Sequence, residues 1–412
     1  MDGPQPEPAN VVCIASYLKG EEFLRECKRQ GARVSLVTRR RTEREQWPRE
    51  SLDEIHHLPD EAGPELLIQQ VANIGRPRKL HSVVALEEFD VITAALVREH
   101  LRVPGLDSST ARRFRDKLLM RELARRAGLR VPDFVPLFNY QEVGEFTERV
   151  PGPWVLKPRS DVSASGIRKL EEAEQVWRAI EVLDARPALR DRSTYYHLES
   201  FVAGDVFHVD SLTEHGRVTF EGVSRYGRPP LDVAQGGGVF ISQTVEYDSP
   251  EYEELTRLNR ELLGALGLES GAAHAEFIRG ASDGEFYFLE VAARVGGAFI
   301  ADTLEAATGV NLWREWARAE VALARGVERG PVERRREHGG IALSLARQQW
   351  PDTSAYTDPE IVQRVAKANH VGLIVRSPRR ERVTELLEQY AQRFAQDFTA
   401  YVPPPDRRET LT

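Results

Sequence analysis

The chain has 412 residues, 41% hydrophobic and 29% charged, with a formal net charge of −8 and a pI near 5.8. That length suggests two or three folded units with ample core, and the acidic balance excludes a nucleic-acid binder with an overall basic surface. No apolar run approaches the roughly 18 residues of a membrane helix, the Pro-rich acidic stretch 1–10 reads as a disordered tail without a signal-peptide core, and the two cysteines, Cys13 and Cys27, form neither a disulfide framework nor a zinc spacing, as suits a reducing cytoplasm.

Of 56 basic residues only seven are lysines, a bias that reads as codon usage. No lysine follows a glycine, so the Gly-x-x-x-x-Gly-Lys phosphate loop cannot occur. In chain order, strands are expected at 11–15, 33–37, 54–58 and 81–86, and helices at 20–30, 64–73 and 89–101, where apolar residues recur at helical spacing. This alternation predicts a small parallel sheet covered on both faces. Its first strand–helix turn, Ala15-Ser16-Tyr17-Leu18-Lys19-Gly20, lacks the Gly-x-Gly-x-x-Gly fingerprint, which argues against a nicotinamide enzyme.

The N-cap cluster Asp107-Ser108-Ser109-Thr110 predicts one long helix running to about Gly128. Strands at 154–157 and 167–170 bracket a loop of small residues. Strands are also expected at 195–201, 206–213 and 218–224, followed by a helix at 252–266 and a strand pair at 272–279 and 285–292. The Arg/Glu-rich stretch 328–337 reads as a solvated connection. Beyond it come strands at 340–345 and 370–376 and a helix at 381–398.

The strand pair carries the strongest chemical signal. Read with a three-residue turn, Ser282-Asp283-Gly284, it pairs Ala281 with Glu285 and sets Glu276 directly opposite Glu290. Two bare carboxylates roughly 5 Å apart repel by about 3 kcal/mol at an effective dielectric near 20. A divalent cation reverses that sign, and few hard oxygen donors suit Mg²⁺; a solvent-facing acidic pair is the plain alternative. Arg294 lies four residues past Glu290. A second signal is the strand ending in Lys157 and its loop through Ser163, Ser165 and Gly166, small enough to bring backbone N–H groups to an anion. The third is Glu199-Ser200-Phe201-Val202-Ala203-Gly204, a strand end able to offer backbone groups to an adenine. The run Gln235-Gly236-Gly237-Gly238 reads as mobile backbone, a closing lid or a long turn.

Taken in order, these pieces resemble the ATP-grasp superfamily, and within it the carboxylate–amine ligases that include the L-amino-acid ligases. The resemblance spans roughly residues 10 to 325. It rests on Arg115-Asp116-Lys117, Arg121-Glu122-Leu123, Val155-Leu156-Lys157-Pro158, the 163–167 loop, the 199–204 hinge, Ala265-Leu266-Gly267-Leu268, His274-Ala275-Glu276 and Glu290-Val291-Ala292-Ala293-Arg294-Val295-Gly296-Gly297.

The resemblance implies an α/β and α+β chain with the ATP-grasp fold. A Rossmann-like parallel-sheet domain at 11–106 would precede a small lid subdomain with its linking helix at 107–195. A catalytic subdomain at 196–330 and a C-terminal α/β subdomain at 331–412 would follow. It further implies that Lys117, Lys157, Ser163, Ser165 and Gly166 bind the nucleotide phosphates, and that Glu199, Phe201 and Val202 border the adenine. Glu276 and Glu290 would hold Mg²⁺, with Mn²⁺ as an alternative, and Arg294 would hold the transferred phosphoryl group. Glu88 matches an acid that contacts the first substrate's amino group, and Gly297 and Ala298 line the acceptor side, Ala298 replacing a bulky Trp of some relatives. Ala292 stands where many relatives carry an Asn ligand for a second metal ion, and Val206 where a ribose-contacting acid is common, leaving Asp205 and Asp210 as candidates.

The implied reaction joins a small-molecule carboxylate to an amine, consuming ATP and releasing ADP. The same resemblance accommodates a thiol or other nucleophile, or a non-catalytic ATP-binding protein. Neither nucleic acid nor membrane is an expected partner, and homodimers are common among such ligases.

Overall fold

The computed structural model describes residues 7–161 and 165–402; Ser163 and most of the expected tail lie outside them. The N-terminal unit runs β1 (Asn10–Ala15), α1 (Glu21–Arg29), β2 (Arg33–Arg39), β3 (Glu54–Leu58), α2 (Pro64–Gly75), β4 (Ser82–Ala85) and α3 (Val91–Leu101). Its strands lie in the order β3-β2-β1-β4 with every pairing parallel. Strand β1 is buried along its whole length, as a parallel strand covered on both faces must be.

The expected long helix is two. Helix α4 (Ser108–Arg113) ends, and α5 (Lys117–Arg126) begins anew at Asp116, whose carboxylate accepts from the Leu118 and Leu119 amides at 3.1 and 3.4 Å. A side chain that caps a helix competes with continuing one. The break places Arg115 and Lys117 at a helix start rather than along a helix flank.

A four-stranded sheet follows, built from β5 (Phe134–Pro136), β6 (Trp154–Pro158), β7 (Arg168–Leu170) and β8 (Tyr196–Ser200) in the order β5-β8-β6-β7. Helices α6 (Tyr140–Arg149) and α7 (Ala173–Asp184) close its core of Val143, Phe146, Trp154, Ile180 and Leu198. This sheet therefore extends to residue 200, past the boundary expected at 195.

The large sheet contains β9 (Gly204–Glu214), β10 (Arg217–Tyr226), β11 (Phe240–Thr244), β12 (Gly271–Gly280), β13 (Phe286–Ala292), β14 (His338–Leu345), β15 (Ile361–Arg364) and β16 (His370–Ser377). Their order is β13-β12-β9-β10-β11-β14-β16-β15, so the C-terminal strands complete this sheet rather than form one of their own. Helix α8 (Pro230–Gly236) occupies part of the expected glycine-rich lid, and α9 (Pro250–Leu266), α10 (Ile300–Thr308), α11 (Leu312–Arg325) and α12 (Arg380–Asp397) flank the sheet. Among the described residues no helix is long and apolar enough to cross a membrane. Cys13 and Cys27 are buried and unpaired.

At the join between the two sheets, Gly204 has no room for a side chain. A Cβ there would lie 1.9 Å from the Arg279 carbonyl oxygen. Only glycine permits that backbone approach, which fixes where the chain leaves β8 and enters β9.

Candidate active site

The β12–β13 pairing places Glu276 opposite Glu290, as expected, but by a different route. The turn is four residues long, Ala281 to Gly284, because the Gly280 amide bonds to the Glu285 carbonyl at 2.8 Å. The register then shifts between Glu276 and Phe277, where Leu289 is left unpaired as a β-bulge. The extra turn residue and the bulge offset one another, and the two carboxylates meet.

Glu290 is half-buried and pairs with Lys117 Nζ at 3.2 Å. Glu276 is nearly buried and accepts from Tyr226 Oη at 2.8 Å and from His274 Nε2 at 3.3 Å. Both contacts fall on Oε1, leaving Oε2 without a partner among the described residues. Burial raises the cost of ionising Glu276, yet His274 and Tyr226 hold its pKa below the ordinary range. Two partly uncommitted carboxylates in register fit a hard divalent cation.

The Lys117 ammonium also donates to the Asp161 carbonyl at 2.7 Å, and its backbone amide to the Arg159 carbonyl at 2.7 Å. Arg159 in turn holds Asp116. The start of α5 is thus stitched to the end of β6, which carries Lys157. Lys157 Nζ lies 2.8 Å from Glu199 Oε2. Arg121, fully buried, lies 2.9 Å from Glu199 Oε1, and His197 Nε2 is 2.7 Å from the same atom. Burial disfavours a charged Glu199, but Arg121 and Lys157 override it and hold its pKa well below the carboxylate range. Both Glu199 oxygens are therefore engaged. Burial lowers the Lys157 pKa. Phe201 lies under Lys169 Nζ, 4.5 Å from ring centre to nitrogen, and Val202 is partly exposed beside it.

In the expected phosphate loop, Gly166 has φ +70°, a conformation glycine adopts readily. The Ser165 hydroxyl is buried without a hydrogen-bond partner among the described residues. Gln235 Nε2 of α8 reaches the Ile167 carbonyl at 3.1 Å, linking the glycine-rich segment to this loop.

Arg294 projects toward the N-terminal domain. Its Nε and one terminal nitrogen donate to Glu88 Oε2 at 3.1 and 2.8 Å, and Arg115 donates to Glu88 Oε1. Both Glu88 oxygens are thus occupied by arginines. Burial would raise the Glu88 pKa, but Arg115 and Arg294 hold it down to about 2. A depressed carboxylate adds stability that is present above its unfolded pKa and is lost as pH falls through the folded one. The stability difference between wild type and Glu88→Gln should therefore be constant above about pH 5 and shrink between pH 4.5 and about 2. Urea unfolding across that range checks it; a difference that grows on acidification would contradict the ion pairs.

Beside Arg294, Lys19 Nζ pairs with Glu87 at 3.2 Å and lies 4.0 Å from where a Gly297 Cβ would sit. Ala298 and Phe299 follow with φ +51° and +58°. Two consecutive side-chain-bearing residues in the left-handed region are costly, and such strain concentrates at functional loops. Asp205 pairs with Arg225 at 2.9 Å on the surface. Asp210 is fully buried between His208 and His274 and faces no open site. A cleft of about 1340 Å³, lined by Arg98, Arg217, Trp316 and Glu320 among others, contains none of these residues.

The structure thus unites Lys117, Glu276 and Glu290 in one group, Lys157 and Glu199 in a second, and Glu88 and Arg294 in a third. Arg121, Arg115, Lys19, Glu87, Tyr226, His208 and His274 join them without having been singled out as site residues, and Asp210, a candidate for the ribose contact, is held between the two histidines. The one local signal was His at i and an acid at i+2 in apolar strands, three times over: His197 with Glu199, His208 with Asp210 and His274 with Glu276.

A family model described as an ATP-grasp domain matches residues 150–302. An L-arginine-specific L-amino acid ligase of Bacillus subtilis is 25% identical over 61% of the chain and 60% of its own length, so the chain spans about three-fifths of that relative. The fold superimposes on an L-amino acid ligase from Bacillus licheniformis with a TM-score of 0.72 at 18% identity, covering 97% of this chain and 100% of the other. It also superimposes on the biotin carboxylase domain of a Hydrogenobacter thermophilus 2-oxoglutarate carboxylase, whose structure holds MgADP, with a TM-score of 0.70 at 17% identity over 93% and 89%. The chain therefore contains an ATP-grasp domain and has the ATP-grasp fold.

Proposed function

We propose that this protein is an ADP-forming carboxylate–amine ligase that joins the carboxylate of an amino acid to an amine through an acyl phosphate. The observation that carries the reading is Glu276 facing Glu290 beside Lys117, with Arg294 four residues on. The resemblance to an L-arginine-specific L-amino acid ligase supports an amino-acid donor, and the MgADP complex of a structural relative supports the nucleotide and metal.

Lys117, Lys157 and the 165–166 backbone hold the phosphates, with Ser163 assigned to the same loop. Glu199 acts through Lys157, fixing the ammonium that a nucleotide phosphate would meet. The 201–202 segment borders the adenine. Glu276 and Glu290 hold Mg²⁺, or Mn²⁺ in its place, which when bound neutralises charge on the phosphate oxygens. A carboxylate is a poor electrophile, so the donor's oxygen first takes the γ-phosphoryl, releasing ADP. Arg294, aimed by Glu88 and Arg115, stabilises the negative charge that shifts onto the donor. The amine then attacks the acyl carbon, phosphate leaves with the carboxylate oxygen, and the amine loses a proton. An acyl phosphate must be shielded from water, a task suited to the 165–167 loop and α8 closing together. Lys19, Glu87, Gly297 and Ala298 border the donor and acceptor.

We place the protein in the cytoplasm as a homodimer acting on small molecules. The functional reading is tested by screening amino-acid pairs for ADP release with mass spectrometry of the products. Amide, ADP and phosphate in equal amounts support it; AMP with pyrophosphate would overturn it.

A further inference from the structure

Beneath Glu276 lies a group of buried polar side chains that the reaction as described does not use. His208 and Asp210 are two apart on β9, and His274 and Glu276 two apart on β12, so each pair points to one face of the sheet. The register sets His274 opposite Asp210 and Glu276 opposite His208. Four chemistry-bearing residues thus form a square on one face. His208 and Asp210 have no exposed surface, and His274 and Tyr226 are nearly as buried.

Within the square every polar atom except Glu276 Oε2 has a partner among the described residues. Asp210 Oδ2 binds His208 Nδ1 at 2.6 Å, and Asp210 Oδ1 binds His274 Nδ1 at 2.8 Å. His208 Nε2 meets Ser242 Oγ at 2.7 Å, and His274 Nε2 meets Glu276 Oε1 at 3.3 Å. Tyr226 Oη closes the end, 2.8 Å from the same Glu276 oxygen. The two histidines and the aspartate are close enough to suggest a metal site of their own. Their geometry is instead that of a relay, since all four ring nitrogens and both Asp210 oxygens are already in hydrogen bonds.

One further contact ties this relay to the arginine loop. A Cβ at Gly296 would lie 2.6 Å from Asp210 Oδ1 and 3.0 Å from His274 Nδ1. The backbone two residues past Arg294 therefore rests directly on the relay, and only glycine allows it. A buried polar chain of this kind costs desolvation unless every member is satisfied. Its constraint falls on Glu276 from below and on the Arg294 loop from the side.

We propose that Ser242, His208, Asp210, His274 and Tyr226 are positioning residues that lock Glu276 in one orientation as a metal ligand and keep it in register with the Arg294 loop. This rests on the reading of Glu276 and Glu290 as the Mg²⁺ carboxylates. Outer partners of metal ligands are worth about 10- to 100-fold in metal affinity.

The test is Mn²⁺ binding followed by electron paramagnetic resonance on the full chain saturated with ADP. Asp210→Asn keeps the shape and removes the charge that holds both histidines. It should weaken Mn²⁺ binding by about 10-fold or more while leaving metal-free ADP affinity within about twofold, and high Mn²⁺ should restore turnover. Tyr226→Phe removes one hydroxyl at the edge of the relay and should weaken Mn²⁺ binding by a smaller factor; it carries the test alone if Asp210→Asn does not fold. Unchanged Mn²⁺ affinity in the folded variants would overturn the proposal, as would an equal loss of metal-free ADP affinity. So would a stoichiometric transition metal in the isolated protein that Asp210→Asn abolishes. Glu290→Gln separates the layers: if it leaves Mn²⁺ affinity unchanged, the metal carboxylates themselves are misassigned.

Discussion

Replacing Glu290 by Gln should abolish ADP-forming turnover, by roughly 10³-fold or more, and leave the fold intact. The side chain is 39% exposed and its ion pair is with Lys117, so little packing is lost. Glutamine keeps the volume and one carbonyl oxygen but removes the charge. Lys117 does not lose its anchorage, since the Asp161 carbonyl still accepts from it. The variant should melt within a few degrees of wild type by circular dichroism and show no ADP release. Turnover close to wild type would remove Glu290 from the metal site.

The largest effect on stability should come from Glu199→Ala. Glu199 is buried with Arg121, Lys157 and His197 around it, and its removal leaves two cations in a nearly dry interior. Breaking a buried pair by removing one partner costs about 3–5 kcal/mol. Urea unfolding should show a loss of that size. The exposed pair Arg125–Asp133, 3.3 Å apart with both side chains about half exposed or more, provides the contrast: Asp133→Ala should cost less than about 1 kcal/mol. Equal losses in the two variants would mean that the Glu199 cluster is solvated and holds nothing in place. Adding ADP should recover part of the Glu199→Ala loss, because nucleotide phosphates supply negative charge near Lys157.

Much of this was legible in the residues. The N-terminal alternation of strands and helices follows from periodicity alone, because each element buries one stripe or one whole strand. The meeting of Glu276 and Glu290 was also legible, although the assumed three-residue turn was one residue short and the Leu289 bulge restored the register. Turn length and bulges depend on packing along the hairpin, here including the Phe288 amide bonding to the Arg130 carbonyl at 2.9 Å, which no local pattern records. The break between α4 and α5 was hidden because the Asp107 cap suited a continuous helix equally well, and Asp116 declares itself only when Arg159 is found beside it.

The partners of the site residues were less legible still. Glu88 and Arg294 are 206 positions apart and meet only where the N-terminal unit packs against the end of β13, while Asp210 and His274 are 64 apart and meet through the pairing of β9 with β12. The occupied oxygens of Glu88 and Glu199 were invisible for the same reason. A sequence displays which side chains are chemical, but the neighbours that decide whether a carboxylate is free or clamped arrive from other strands.

The central claim is transfer of a phosphoryl group to the donor carboxylate, and isotope tracing tests it most directly. With a productive amino-acid pair and a donor labelled with ¹⁸O in its carboxylate, phosphorus NMR of the released phosphate should show one ¹⁸O per phosphate, with ADP as the nucleotide product. Unlabelled phosphate, or the label found in AMP, would contradict an acyl phosphate and with it the roles given to Glu276, Glu290 and Arg294.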